Sequence, residues 1–150
     1  MRQVWLGCVV CLTLVGCANA SRAKVASVKR VFIEDTKLST QTNATIDSLT
    51  PAVMDSAAIE LTRHGYVVVS SKALAEGVLR LSWQTGVDSS SGSAESPLSL
   101  SMTLFNQKGK RVFSGNSGPS IPVAFWSQTR ATSAVASILG PMPAAVTVAE

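Results

Sequence analysis

A single histidine, His64, is all the imidazole in this 150-residue sequence, so neither a histidine-rich metal site nor a Ser-His-Asp triad can be assembled without it. Cysteine is absent beyond position 17. Cys8, Cys11 and Cys17 all fall at the amino end, which excludes an intramolecular disulfide framework in the rest of the chain. Charge is sparse, at 15% of residues with a net +4, a bias too mild for nucleic-acid binding but suited to an anionic membrane surface. No G-K-S/T sequence stands in a loop that could grip a phosphate. Carboxylates are adjacent only at Glu34-Asp35, where strand alternation sends them to opposite faces and away from shared acid–base work. No apolar run reaches the roughly 20 residues that cross a bilayer. What is present is an apolar content of 46%, which argues against disorder and for one domain with a modest core.

The longest apolar stretch, residues 4–15, follows Met1-Arg2-Gln3, a short positively charged start, and together they have the form of a secretory signal peptide. The stretch ends in Leu14-Val15-Gly16-Cys17. These four residues resemble the lipobox of bacterial lipoproteins: apolar Leu14 and Val15, small Gly16, then the cysteine. The resemblance implies that a diacylglyceryl group is attached to the Cys17 sulfur and that a dedicated signal peptidase recognises Leu14, Val15 and Gly16 and removes residues 1–16. It further implies that the freed amine is acylated, palmitate being among the chains carried. The residue types fit that chemistry, since the thiol is the nucleophile and a small neighbour leaves the bond accessible. Ala18 stands where retention in the inner membrane calls for Asp, which implies an outer-membrane anchor facing the periplasm. Each buried methylene contributes about 0.8 kcal/mol, so two or three chains hold lastingly where one would not. The alternative is Ala18-Asn19-Ala20, an A-x-A site at which an ordinary signal peptidase would release a soluble chain from Ser21; either way the domain is exported. Cys8 and Cys11 form a C-x-x-C inside the apolar run, without context for redox or zinc chemistry.

Residues 17–27 read as a polar, basic, lipidated tether containing Arg22 and Lys24. The spacing then predicts a strand over 28–33 closed by Glu34-Asp35, and an amphipathic helix whose apolar face is Ile46, Leu49, Val53, Met54, Ala57, Ala58 and Leu61. Thr50-Pro51 reads as its N-cap and first-turn proline, with an irregular turn before it and Gly65 as its stop. Strands are predicted over 66–70 and 78–87, the latter with Leu79, Leu81 and Trp83 on one face and Arg80, Ser82 and Gln84 on the other. A serine-rich loop over 88–97 leads to a strand alternating Leu98, Leu100, Met102 and Leu104 with Ser99, Ser101 and Thr103. A turn at 106–110 returns the chain as a hairpin over 111–115, and a second helix is predicted over 124–139, with Ala131, Ala134, Val135 and Ile138 on one side. This order predicts an α+β domain over 28–140, a mainly antiparallel sheet of about five strands with two helices packed on one face, and a tail over 141–150. The order of elements is similar to that of small envelope lipoproteins and of the amino-terminal domain of the Tol-system propeller protein. That likeness is architectural, spans about 28–117 and carries no functional residues.

No catalytic, cofactor-binding or metal-binding constellation emerges. His64, at the end of a helix before Gly65, is suited to the terminal carbonyls. Gly115-Asn116-Ser117-Gly118-Pro119 approaches the G-x-S-x-G elbow but ends in proline with no helix following, and Ser21-Arg22-Ala23-Lys24 matches S-x-x-K without companion motifs. Asp47, Asp55 and Glu60 read as the wet side of a helix. Two features could serve binding: the cations Lys108, Lys110 and Arg111 at a hairpin tip, which read more simply as a solvated turn, and the aromatic pair Phe125-Trp126, set about 100° apart if helical so that a narrow buried stripe could hold only one, although two aromatics covering the end of a sheet is the commoner arrangement. The expectation is therefore a lipoprotein of the bacterial envelope, not an enzyme and without a cofactor, that docks on an envelope protein and binds no nucleic acid. A carrier or sensor of an apolar ligand is the alternative; it requires a cavity reached by Leu81, Trp83, Leu100 and Met102. A hydrolase would require a cleft joining His64 to a carboxylate and a hydroxyl.

Overall fold

Alternation is the strongest organising signal in this chain, and it builds the centre of the sheet. The computed structural model describes residues 28–36, 44–85 and 97–145. Strand β1 is Arg30–Thr36, β2 is Val67–Val68, β3 is Gly77–Thr85, β4 is Leu98–Asn106 and β5 is Arg111–Asn116. Helix α1 is Ala44–Arg63 and α2 is Gln128–Leu139, and the strands lie in the order β2-β1-β3-β4-β5. The fold is α+β with a mixed sheet. β3 pairs antiparallel with β4 along its whole length and β4 with β5, whereas β1 pairs parallel with β2 and β3. Directly opposed on one face are Leu79 and Leu104, Leu81 and Met102, and Trp83 and Leu100, all buried. Val31 and Ile33 join them from β1, and both helices lay their apolar sides on this same face.

Helix α1 begins earlier than its proline suggests. Thr50 is not the cap: it lies within the helix, and its hydroxyl donates to the Ile46 carbonyl at 2.9 Å. Pro51 sits in the helix interior and withholds a donor from the carbonyl of Asp47, an exposed residue where water can serve instead. An internal proline costs about 3 kcal/mol, but burying Ile46 and Leu49 in the preceding turns contributes roughly 1.5–3 kcal/mol each, so packing overrides the break. The helix ends as foreseen. Gly65 takes φ 82°, its N–H donates to the Thr62 carbonyl, and Tyr66 N–H reaches back to Leu61, a Schellman closure in which Tyr66 and Leu61 are both buried.

The other boundaries shift for tertiary reasons. β1 runs on through Glu34 and Asp35 because Glu34 points to the face opposite the helices, where cations hold it. The 66–70 strand shrinks to two residues, since Tyr66 belongs to the helix stop and the chain then leaves to cross β1 through a single 3-10 turn, Lys72–Leu74, toward β3. Helix α2 does not start at 124. Val123–Phe125 forms one 3-10 turn, the chain extends at Trp126 and Ser127, and Ser127 caps α2 by accepting from Arg130 N–H at 3.3 Å. Residues 141–145, set down as the start of a tail, pack back on the domain: Met142 is buried, Tyr66 Oη donates to the Pro143 carbonyl at 2.7 Å and Ala145 N–H to the His64 carbonyl at 2.8 Å. One glycine is required by close approach. At Gly77 a Cβ would stand 2.7 Å from Val28 Cγ1 and 2.9 Å from the Phe105 carbonyl oxygen.

Candidate functional site

The sheet has two chemically different ends, and the residues singled out for binding divide between them. At one end the chain enters at Val28, packed against Gly77, which pairs with Asn106. Lys29 and Arg30 enter the ladder through their carbonyls, which accept from Val67 and Glu76 N–H. Their N–H groups donate to Glu76 Oε2 at 2.7 and 3.2 Å, and Arg30 Nε donates to Oε1 at 3.1 Å. The Lys29 amide, followed by the Arg30 amide and side chain, holds the Glu76 carboxyl below the usual carboxylate range. On the face opposite the helices Glu34 takes Lys72 Nζ at 2.6 Å on one oxygen and Arg80 Nε at 2.7 Å on the other. Lys72 first and Arg80 second likewise hold its carboxyl low. The Arg80 guanidinium also lies 5.1 Å from the centre of the Phe105 ring.

An open recess of about 380 Å³ lies between the 3-10 crossover and the β4–β5 turn, lined by Lys72, Glu76, Arg80, Phe105 and Gln107 among others. At its rim Asn106 Oδ1 accepts from the N–H groups of Lys108 and Lys110, and Gly109 takes φ 70°, which closes the hairpin turn. Lys108, Lys110 and Arg111 are all exposed there, and no ion pair ties any of them among the described residues.

The aromatic pair occupies the other end. Trp126 is 6% exposed, meets Trp83 edge-on at 4.9 Å and 89°, and donates its Nε1–H to the Leu98 carbonyl at 3.3 Å. Phe125 is 63% exposed. The pair lies outside helix α2, contrary to the sequence reading, yet one ring is buried and one is not. Arg130 Nη1 donates to the Phe125 carbonyl at 3.4 Å, and a recess of about 350 Å³ lined by Pro119, Ile121, Trp126, Arg130 and Ala134 opens beside it. Leu98 and Asn106 bound β4, so at about 3.4 Å per residue the cationic tip and the aromatic pair stand roughly 27 Å apart. They form two surfaces.

Half-buried His64 spends its carbonyl on Ala145 N–H at the end of α1. Ser117 accepts from Leu100 N–H at 3.0 Å inside a turn completed by Gly118 at φ 89°. Leu81, Trp83, Leu100 and Met102 are buried against one another and the helices, and the recesses described above are lined by other residues. Among the described residues no group of three or more His, Cys, Asp or Glu is placed to hold a metal ion, and no helix is long and apolar enough to cross a membrane. Leu14, Val15, Gly16 and Cys17, the tether, the serine-rich loop from 88 to 96 and the last five residues of the predicted tail lie outside the described residues. The Glu34–Lys72–Arg80 cluster was not foreseen. The outward charges of 34 and 80 were its only signal, and their pairing required the parallel register of β1 on β3, in which Glu34 lies beside Arg80.

No protein-family model matches the chain, and no curated protein matches it. Among solved structures it is similar to two of the PelC dodecamer from Paraburkholderia phytofirmans. One, of a substituted form, has 17% identity and a TM-score of 0.48 over 79% of this chain and 90% of that one. The other has 15% identity and a TM-score of 0.48 over 81% and 91%. Likeness at this level carries nothing over to the role or assembly of this chain.

Proposed function

We propose that this protein is an exported lipoprotein, held at the outer membrane by acyl chains on Cys17, whose domain is a non-catalytic docking module for another envelope protein. The observation that supports docking is Phe125, an aromatic ring left largely in water on a stretch fixed by the buried Trp126 next to it, which itself lines a recess. Burying such a ring against a partner would contribute roughly 1.5–3 kcal/mol. Tethering supplements so small a contact by raising its effective concentration at the membrane surface. The polar groups near the ring serve structure: Arg130 binds the Phe125 carbonyl, and Ser127 caps α2.

Two measurements test this reading. Intact mass of the protein from its native membranes should equal a chain starting at Cys17 plus acyl groups, and the Cys17→Ser variant should lose them; an unmodified chain starting at Ser21 would end the lipoprotein reading. A photo-crosslinking residue at position 125 should then give one discrete heavier adduct in those membranes, whereas the same residue at exposed position 59 should not. Identical ladders from the two positions would end the docking reading.

A further inference from the structure

We infer that the end of the sheet where the chain enters is a lipid-facing surface that rests on anionic headgroups, with the β4–β5 turn and the 3-10 crossover as its contact points. The inference rests on the lipoprotein reading for what brings the domain to a membrane, but the surface itself is argued from charge, exposure and topology.

The cations are unevenly distributed. Lys29, Arg30, Lys72, Arg80, Lys108, Lys110 and Arg111 belong to this end or to the recess that opens on it, against the two carboxylates Glu34 and Glu76. Those carboxylates are already taken up by Arg30, Lys72 and Arg80, which leaves Lys29 and, at the turn, Lys108, Lys110 and Arg111 as exposed cations without an ion pair among the described residues. Arg63, where α1 ends, is offset by Glu60. At the far end of the sheet Arg130 lies beside the aromatic pair.

Position in the chain points the same way. Ten residues separate Cys17 from Val28, so the Val28 backbone stays within about 40 Å of the Cys17 backbone. Val28 packs on Gly77, Gly77 pairs with Asn106, and Gln107 Nε2 donates to the Ala75 carbonyl, so the end nearest the anchor carries the cationic tip. The ten residues themselves contain Arg22 and Lys24.

An apolar residue at the same place favours lipid over a purely polyanionic partner. Leu74, one residue before Ala75 and two after Lys72, is 57% exposed on the crossover. A leucine set among lysines and arginines suits the boundary between headgroups and acyl chains, whereas a soluble acidic polymer has nothing to offer it.

The test uses the full mature chain with Cys17→Ser, so that no acyl group contributes, and vesicles of phosphatidylcholine with or without phosphatidylglycerol. Co-sedimentation should occur on the anionic vesicles alone and weaken with salt. K110Q should lower the partition about fivefold and K108Q/K110Q/R111Q together roughly a hundredfold, at about fivefold per charge. L74S should lower it too, whereas R130Q, an equal loss of charge at the far end, should leave it unchanged. Equal binding to neutral vesicles, a triple variant that binds like its parent, or an equal loss from R130Q would overturn the inference. So would binding of soluble polyglutamate without binding of vesicles. An unacylated native mass would remove the anchor and leave the vesicle result standing, so the two failures are distinguishable.

Discussion

Tyr66 is the chain's single tyrosine, which makes its ionisation readable without assignment. Its ring is 2% exposed at the Schellman stop of α1, and its hydroxyl donates to Pro143. Burial pushes the phenol up from 10.0 to about 12. A group whose folded pKa is raised contributes stability that is fully present below the unfolded value and is lost as pH rises through the folded one. The window here is therefore about pH 10 to 12, and two units correspond to roughly 3 kcal/mol. Tyr66→Phe removes the titration and also the Pro143 bond, a net cost of about 1 kcal/mol. The variant should be the less stable protein at pH 8 and the more stable one by pH 12, the two urea-denaturation curves crossing at about pH 11. Phenolate absorbance near 295 nm should rise only toward pH 12, well above the range of an exposed tyrosine. Reversible ionisation at about pH 10 with the far-ultraviolet dichroism intact would refute the reasoning, because it would mean that water reaches the hydroxyl in the native fold.

Three further substitutions probe the sheet and its aromatic end. Glu34→Gln should reduce stability at pH 7 by less than about 1 kcal/mol, since its partners Lys72 and Arg80 are about half exposed. Because the native carboxyl is held low, its contribution exists above the ordinary value of 4.5 and vanishes as pH falls through the lowered one, so the variant should show a shallower acid-side loss in denaturation series below about pH 4.5; parallel acid limbs would contradict the pairing. Trp126→Ala should cost about 3–5 kcal/mol in the same denaturation experiment, whereas Phe125→Ala, its exposed neighbour, should stay within about 0.5 kcal/mol; equal losses would mean that the exposed ring is part of the core.

What the sequence disclosed depended on the range of the interaction that decides each residue. Leu79, Leu81 and Trp83, like Leu98 to Leu104, were legible because a strand of period two fixes which side chains share a face whatever it pairs with. The turn from Asn106 to Lys110 was equally local, a side-chain oxygen and a glycine serving three backbone positions. Thr50-Pro51 misled because a local stop signal competed with the burial of Ile46 and Leu49, whose weight is known only once the sheet lies beneath them. Trp126 likewise stood outside its helix in favour of a carbonyl 28 residues away. The cationic tip and Phe125 were each visible; their separation by the length of β4 was not, nor was the gathering of Lys72 and Arg80 on Glu34, because both depend on topology.

The brevity of β2 also governs how copies of the domain behave beside one another. An outer strand with a long row of free N–H and C=O groups is a template for adding another sheet. Here one margin is two residues long before the chain turns away, and the other, β5, is only six residues long, opens on Arg111 and meets β4 through a register shift at Leu104/Phe105 that breaks its regularity. Neither of these two strands offers a long, regular run for a neighbour to continue. Among the described residues, neither outermost strand is therefore a strong template for pairing with the sheet of another copy.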